Sequence, residues 1–98
     1  MLITISLMSR AEGEIEKLLD KCYDKKSHAD SQVIEWMYVY QNAVEAITFM
    51  DSVMSYQDEY DVSVWIKIND EDMIEVTQTT HPDITRSIIA DWNNEGSF

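Results

Sequence analysis

Carboxylates are the most numerous reactive groups in this sequence, and several of them cluster. Asp70-Glu71-Asp72 is the densest run. It has the charge to hold Ca²⁺ or Mg²⁺, but a calcium loop also needs a glycine at its sharp turn and a distal Glu. The glycine is missing here. The run reads instead as a solvated turn or as a contact for a basic partner. A general acid–base pair would need one carboxyl raised by burial, and the neighbours of these acids are hydrophilic. A second cluster sets Asp58, Glu59 and Asp61 around Tyr60, with Tyr56 one turn earlier. Acid interleaved with tyrosine suits an interface, because Tyr gives contact area at low entropic cost and carboxylates take bidentate Arg. Glu75, just beyond the first run, extends the same acidic set.

Softer ligands and nucleophiles are scarce. Cys22, His28 and His81 are the only candidates, and no third ligand has zinc spacing. Cys22 falls on an apolar stripe and reads as a core thiol rather than an activated one. His81 stands before Pro82 at a helix start, where a capping or surface role fits better than catalysis. With two glycines, the chain lacks the phosphate-cradling loop, the nucleophile elbow and the dinucleotide fingerprint. The expectation is a protein with no catalytic residues, no metal and no cofactor.

Net charge sharpens this. Nineteen acids against seven bases give −12. Residues 1–26 are balanced, five against five, so residues 27–98, with fourteen acids and only Lys67 and Arg86, carry the whole excess. Direct contact with a phosphate backbone needs Lys and Arg to replace counterions, so nucleic acid is disfavoured, and anionic membrane surfaces with it. An acidic field attracts basic partners and speeds their encounter. A single cysteine rules out an internal disulfide, and the apolar start Met1–Met8 lacks a signal-peptide layout. Both point to a cytoplasmic protein.

The elements that must position these groups follow from periodicity. Ninety-eight residues with 45% hydrophobic content suit one domain over 1–98. Residues 2–8 alternate as a strand, with Ile3, Ile5 and Leu7 on one face. Ser9 and Glu12 resemble a capping box, and Ala11, Ile15, Leu18, Leu19 and Cys22 recur at helical spacing. Acids early and lysines late complement the dipole of a helix over about 10–25. Residues 32–40 favour a strand, and Asn42-Ala43-Val44-Glu45 a second helix start, giving a helix at 43–56. The competing reading is one long helix from Ser31 to Tyr56. Val62, Val64, Ile66 and Ile68 alternate with Ser63, Trp65, Lys67 and Asn69, then turn at 69–72 into a second strand at 73–80, making a 61–80 hairpin. Trp65 shares a face with Lys67; if that face is open, Trp65 is a candidate hot spot. Pro82 opens a last helix with Ile84, Ile88, Ile89 and Trp92 on its apolar side, ending at Asn93-Asn94-Glu95-Gly96. The sum is an α+β fold, a small antiparallel or mixed sheet with two or three helices on one face.

In size, acidity and absent catalytic residues, the chain resembles the small acidic immunity proteins that bacteria make against their own toxins. The excess charge of residues 27–98 and the segments Tyr56–Asp61 and Asn69–Asp72 carry that resemblance. No family motif is matched, so no residue role is transferred. The resemblance implies tight one-to-one binding to a basic toxin domain, often a nuclease, by covering its active site. The partner-contact residues expected are Tyr56, Asp58, Glu59, Tyr60, Asp61, Trp65, Asp70, Glu71, Asp72 and Glu75, on a monomer or homodimer. Two alternatives stand beside it. One is a regulatory or ligand-binding module that dimerises through an open sheet face. The other is a phage-type nucleic-acid mimic, which needs carboxylates spaced like phosphates.

Overall fold

The computed structural model describes residues 1–19 and 21–94. In chain order its elements are β1 (Ile3–Ser9), α1 (Glu12–Ile15), β2 (Asp24–His28), β3 (Val33–Tyr40), α2 (Ala43–Met54), α3 (Gln57–Tyr60), β4 (Ser63–Ile68), β5 (Ile74–Val76) and α4 (His81–Asn94). The strands form one sheet in the order β2-β3-β1-β4-β5, antiparallel at every pairing. β1 lies at the centre and carries no charged residue.

Register assigns each residue to a face, because side chains alternate along a strand. Ile5 lies opposite both Tyr38 and Ile66, and Leu7 opposite both Trp36 and Val64. All of these are buried, together with Ala46, Met50 and Val53 of α2 and Ile84 and Ile88 of α4. Phe49 of α2 packs on the Tyr38 ring at 4.2 Å between centroids. Burying each large aliphatic side chain contributes about 1.5–3 kcal/mol before ordering costs, so this helix-covered face holds the fold together. The other face presents Thr4, Ser6 and Met8 of β1, Met37 and Val39 of β3, and Trp65 and Lys67 of β4. None of these side chains belongs to the core. The sheet is therefore covered on one side and open on the other.

Several expectations hold. The 32–56 segment divides into a strand and a helix, and Asn42 caps α2: its Oδ1 accepts from the Glu45 N–H at 3.1 Å. Pro82 sits in the first turn of α4. The hairpin forms, with a left-handed Asn69 (φ 54°) at its turn. The expected stop of the last helix at Glu95-Gly96 lies outside the described residues.

The helix over 10–25 is corrected. Among the described residues of that span only Glu12–Ile15 is helical, and Asp24–His28 is an edge strand. Ile15 alone of its apolar stripe is fully buried, and Leu18 is 48% exposed. Ser9 does not cap the helix; it ends β1, where its Oγ accepts from the Ala11 N–H and donates to the Tyr60 carbonyl, both at 3.1 Å. The physical reason is the outer edge of β3. Its eight residues would otherwise leave a row of unpaired N–H and C=O groups, and pairing them outweighs a longer helix weakened by Gly13. Cys22 accordingly sits half-buried after the short helix rather than on a helical stripe. The second hairpin strand is also shorter than 73–80. Thr77 and Thr80 close a turn by exchanging backbone-to-hydroxyl bonds at 2.8 and 3.2 Å, which stops β5 at Val76.

Candidate functional site

The acidic residues after β1 do not all gather in one place. β4 runs from one end of the sheet to the other, and the two acidic clusters lie beyond its opposite ends. Asp58, Glu59 and Asp61 precede it, and Asp70, Glu71 and Asp72 follow it. Six residues of strand separate them by about 20 Å.

Local chemistry builds the first cluster into a cleft. α3 is a single turn that ends in a left-handed Asp61 (φ 52°), whose N–H returns to the Gln57 carbonyl. Val62 follows, buried against the core, and its N–H also reaches the Gln57 carbonyl at 3.1 Å. Gln57 in turn donates its Nε2 to the Val76 carbonyl of β5 at 3.2 Å, and Gln78 donates to the Met54 carbonyl at 3.0 Å. The first bond fastens α3, and the second the end of α2, to the end of the hairpin. The cleft between them has a volume of about 330 Å³ and is lined by Gln57, Asp58, Asp61, Val62, Ser63, Glu75, Thr77 and Gln78. Three carboxylates, from α3, its C-cap and β5, thus share one hollow. Asp58, Asp61 and Glu75 are exposed, and among the described residues no ion pair joins any of them to a cation.

Trp65 stands next to this cleft on the open face. It lies opposite Glu75 in the hairpin register and, with Met8, Arg10, Asp61 and Ser63, lines a second hollow of about 240 Å³. Asp61 belongs to both hollows. Tyr56 and Tyr60 are half-buried and packed on the core, their rings edge-on at 5.9 Å, so they brace α3 rather than project from it. Glu59 is exposed on α3. Of the expected contact residues, the structure brings Asp58, Asp61, Glu75 and Trp65 together, keeps Tyr56, Glu59 and Tyr60 beside them, and leaves Asp70, Glu71 and Asp72 at the far end. Gln57 and Gln78, which fasten the cleft, escaped the sequence reading. The only trace in the sequence was that amides, rather than more charges, stand next to Asp58 and Thr77.

The bases of β2 occupy the opposite flank, while Arg10 lines the smaller hollow with Asp61 and Lys67 stands on β4. Lys25 on β2 bonds Glu12 at 2.7 Å and also bonds Glu16, and the Trp36 Nε1–H donates to Glu16 at 3.2 Å. The bond from Lys25, then that from Trp36, holds the Glu16 carboxyl below its ordinary value. The Glu12 and Glu16 carboxylates push the Lys25 ammonium above the usual lysine value. His28 bonds Glu35 at 3.0 Å, and His81 ties α4 to α2 through Asp51 at 2.6 Å. Among the described residues, no three His, Cys, Asp or Glu side chains converge to hold a metal ion, and no helix is long and apolar enough to cross a membrane. Comparison with known proteins returns no match to a family model, to a curated protein or to a solved structure.

Proposed function

We propose that this protein is an acidic inhibitor without catalytic activity, which binds a basic protein partner and blocks it, as an immunity protein does with a toxin nuclease. One observation carries the reading: Asp58, Asp61 and Glu75 share a hollow without a described cation, next to a half-buried tryptophan. Carboxylates in a hollow that no base lines, and that enter no ion pair among the described residues, keep their charge for an incoming guanidinium or ammonium. An aromatic side chain at the rim supplies the apolar anchor that binding energy concentrates on. The hydrogen bonds of Gln57 and Gln78 hold the cleft in shape, so little ordering is lost on binding. A nuclease presents a cationic cleft for phosphate, and a rigid acidic rim fits it electrostatically.

The test is co-expression with the protein encoded beside this one, followed by kinetics on the purified pair. Rescue of growth, together with an association rate that falls steeply as salt rises, supports the reading. Failure to rescue, or an association rate indifferent to salt, refutes it.

A further inference from the structure

The open face of the sheet carries a second pattern, which shares Trp65 with the rim of the acidic cleft. Its middle is a three-by-three grid set by register, with Ser6 at the centre. Met37 and Trp65 stand on either side of Ser6 in its row. The neighbouring rows read Val39, Thr4, Lys67 and Glu35, Met8, Ser63. Two corners of this grid are charged, Lys67 and Glu35, with opposite sign and on the same diagonal. From strand spacing and rise, each lies about 8 Å from Ser6. The grid is neutral as a whole in a chain of net charge −12.

The surface is also preformed. Ser6 is only 1% exposed although it belongs to none of the helix-covered core, and its hydroxyl has no hydrogen-bond partner among the described residues. Its neighbours in the sheet therefore lie across it and close the middle of the face into an apolar layer.

We infer that this face binds a second copy of the same chain in an isologous dimer. The occupant follows from the charge diagonal. Two sheets packed face to face and crossed at about 90° are related by a two-fold axis lying at about 45° to the strands. That operation, passed through Ser6, carries each Lys67 to within about 3 Å, in the plane of the sheet, of the position facing the other copy's Glu35, given the spacings of an antiparallel sheet. It carries each Trp65 over the other copy's Met8, at the mouth of the 240 Å³ hollow that Met8 and Trp65 line. A strongly cationic partner would find a single carboxylate in the grid and a repelling Lys67 at the opposite corner. A second copy finds both of its charges matched. The five-strand face covers roughly 24 by 20 Å, at the low end for a specific interface, so the dimer is weak and concentration-dependent.

The experiment is sedimentation equilibrium over roughly 10 μM to 1 mM, the range where an interface of this size dissociates. Wild type shifts from monomer to dimer across it. Lys67→Glu and Glu35→Lys each put like charges face to face twice and raise the dissociation constant at least tenfold. An equimolar mixture of these two variants regains the dimer, because the mixed pair restores opposite charge at both contacts. Circular dichroism checks that each variant is folded. If Glu35→Lys, which faces Lys26 on β2, fails to fold, Trp65→Gln takes its place and must be monomeric. A wild type that stays monomeric, a mixture that associates no better than its parts, or a dimer that survives Trp65→Gln overturns the inference. Lys67→Glu and Glu35→Lys leave Asp58, Asp61, Glu75 and Trp65 in place, so the charge exchange is read separately from binding of the basic partner; Trp65→Gln also removes the aromatic rim of the acidic cleft and is scored by sedimentation alone.

Discussion

The two flanks of the sheet treat charge in opposite ways. On the β2 flank, acid and base are interleaved: Lys25 is held between Glu12 and Glu16, and His28 meets Glu35. On the β5 flank, Asp58, Asp61 and Glu75 share a hollow, with Lys67 the only base on either hairpin strand. Pairing spends a charge on holding the fold, whereas an unpaired charge keeps its field for something outside. Four strand spacings, about 19 Å, separate the flanks, well beyond the screening length of physiological salt. Each flank therefore acts on its own surroundings, and each can be tested separately.

The largest expected effect comes from detaching the paired flank. Ile15 is the only fully buried residue of α1, while the β5 flank is anchored by Val62, Val64 and Val76. Ile15→Ala costs about 2–5 kcal/mol, read as a lowered midpoint in urea. Next, the triple change Asp58→Asn, Asp61→Asn and Glu75→Gln slows association with the basic partner by about tenfold to a hundredfold at low salt, measured by stopped flow, with no loss of thermal stability. Gln57→Ala removes the bond from α3 to β5 and costs about 1 kcal/mol, again by urea unfolding. On the paired flank, Lys25→Ala removes the larger cause of the depression and moves the Glu16 titration up toward the ordinary glutamate range, as followed by NMR, while the bond from Trp36 remains. In the unsubstituted protein the depressed Glu16 contributes to stability above that range and loses its contribution as pH falls through the lowered value. The smallest effect belongs to the far turn. Neutralising Asp70, Glu71 and Asp72 together changes partner affinity by less than about twofold, because these acids lie a strand's length from the cleft. A larger loss there would merge the two acidic clusters into one site.

How much of this was legible depends on whether a segment's pattern was its own. Ile3, Ile5 and Leu7, and Val64, Ile66 and Ile68, alternate because one side of each strand is buried, and the alternation names both strand and face. Asn42 and Pro82 marked helix starts through local bonds that need no tertiary partner. β2 was illegible because all five of its residues are exposed. It is a strand only because β3 offers it an edge, and its lysines imitated the end of a helix. The acidic cleft was half legible. Asp58, Asp61 and Trp65 stood out, but the closeness of Glu75 depends on how the hairpin folds back. The remoteness of Asp70–Asp72 was implied by the alternation itself, since a six-residue strand must carry its two ends apart.

The unequal edges of the sheet have a consequence for assembly beyond the face-to-face pair. β5 is three residues long, and the carbonyls of Glu75 and Val76 already accept from Thr80 and Gln57. β2 runs five residues, all exposed, and among the described residues no further strand is hydrogen-bonded beyond it. Main-chain zippering between molecules thus has one competent margin per molecule. Two copies joined along β2 would form a single continuous ribbon of ten strands with a shielded border at each end, so pairing through the sheet edges alone stops at two and does not extend into an endless cross-β ribbon.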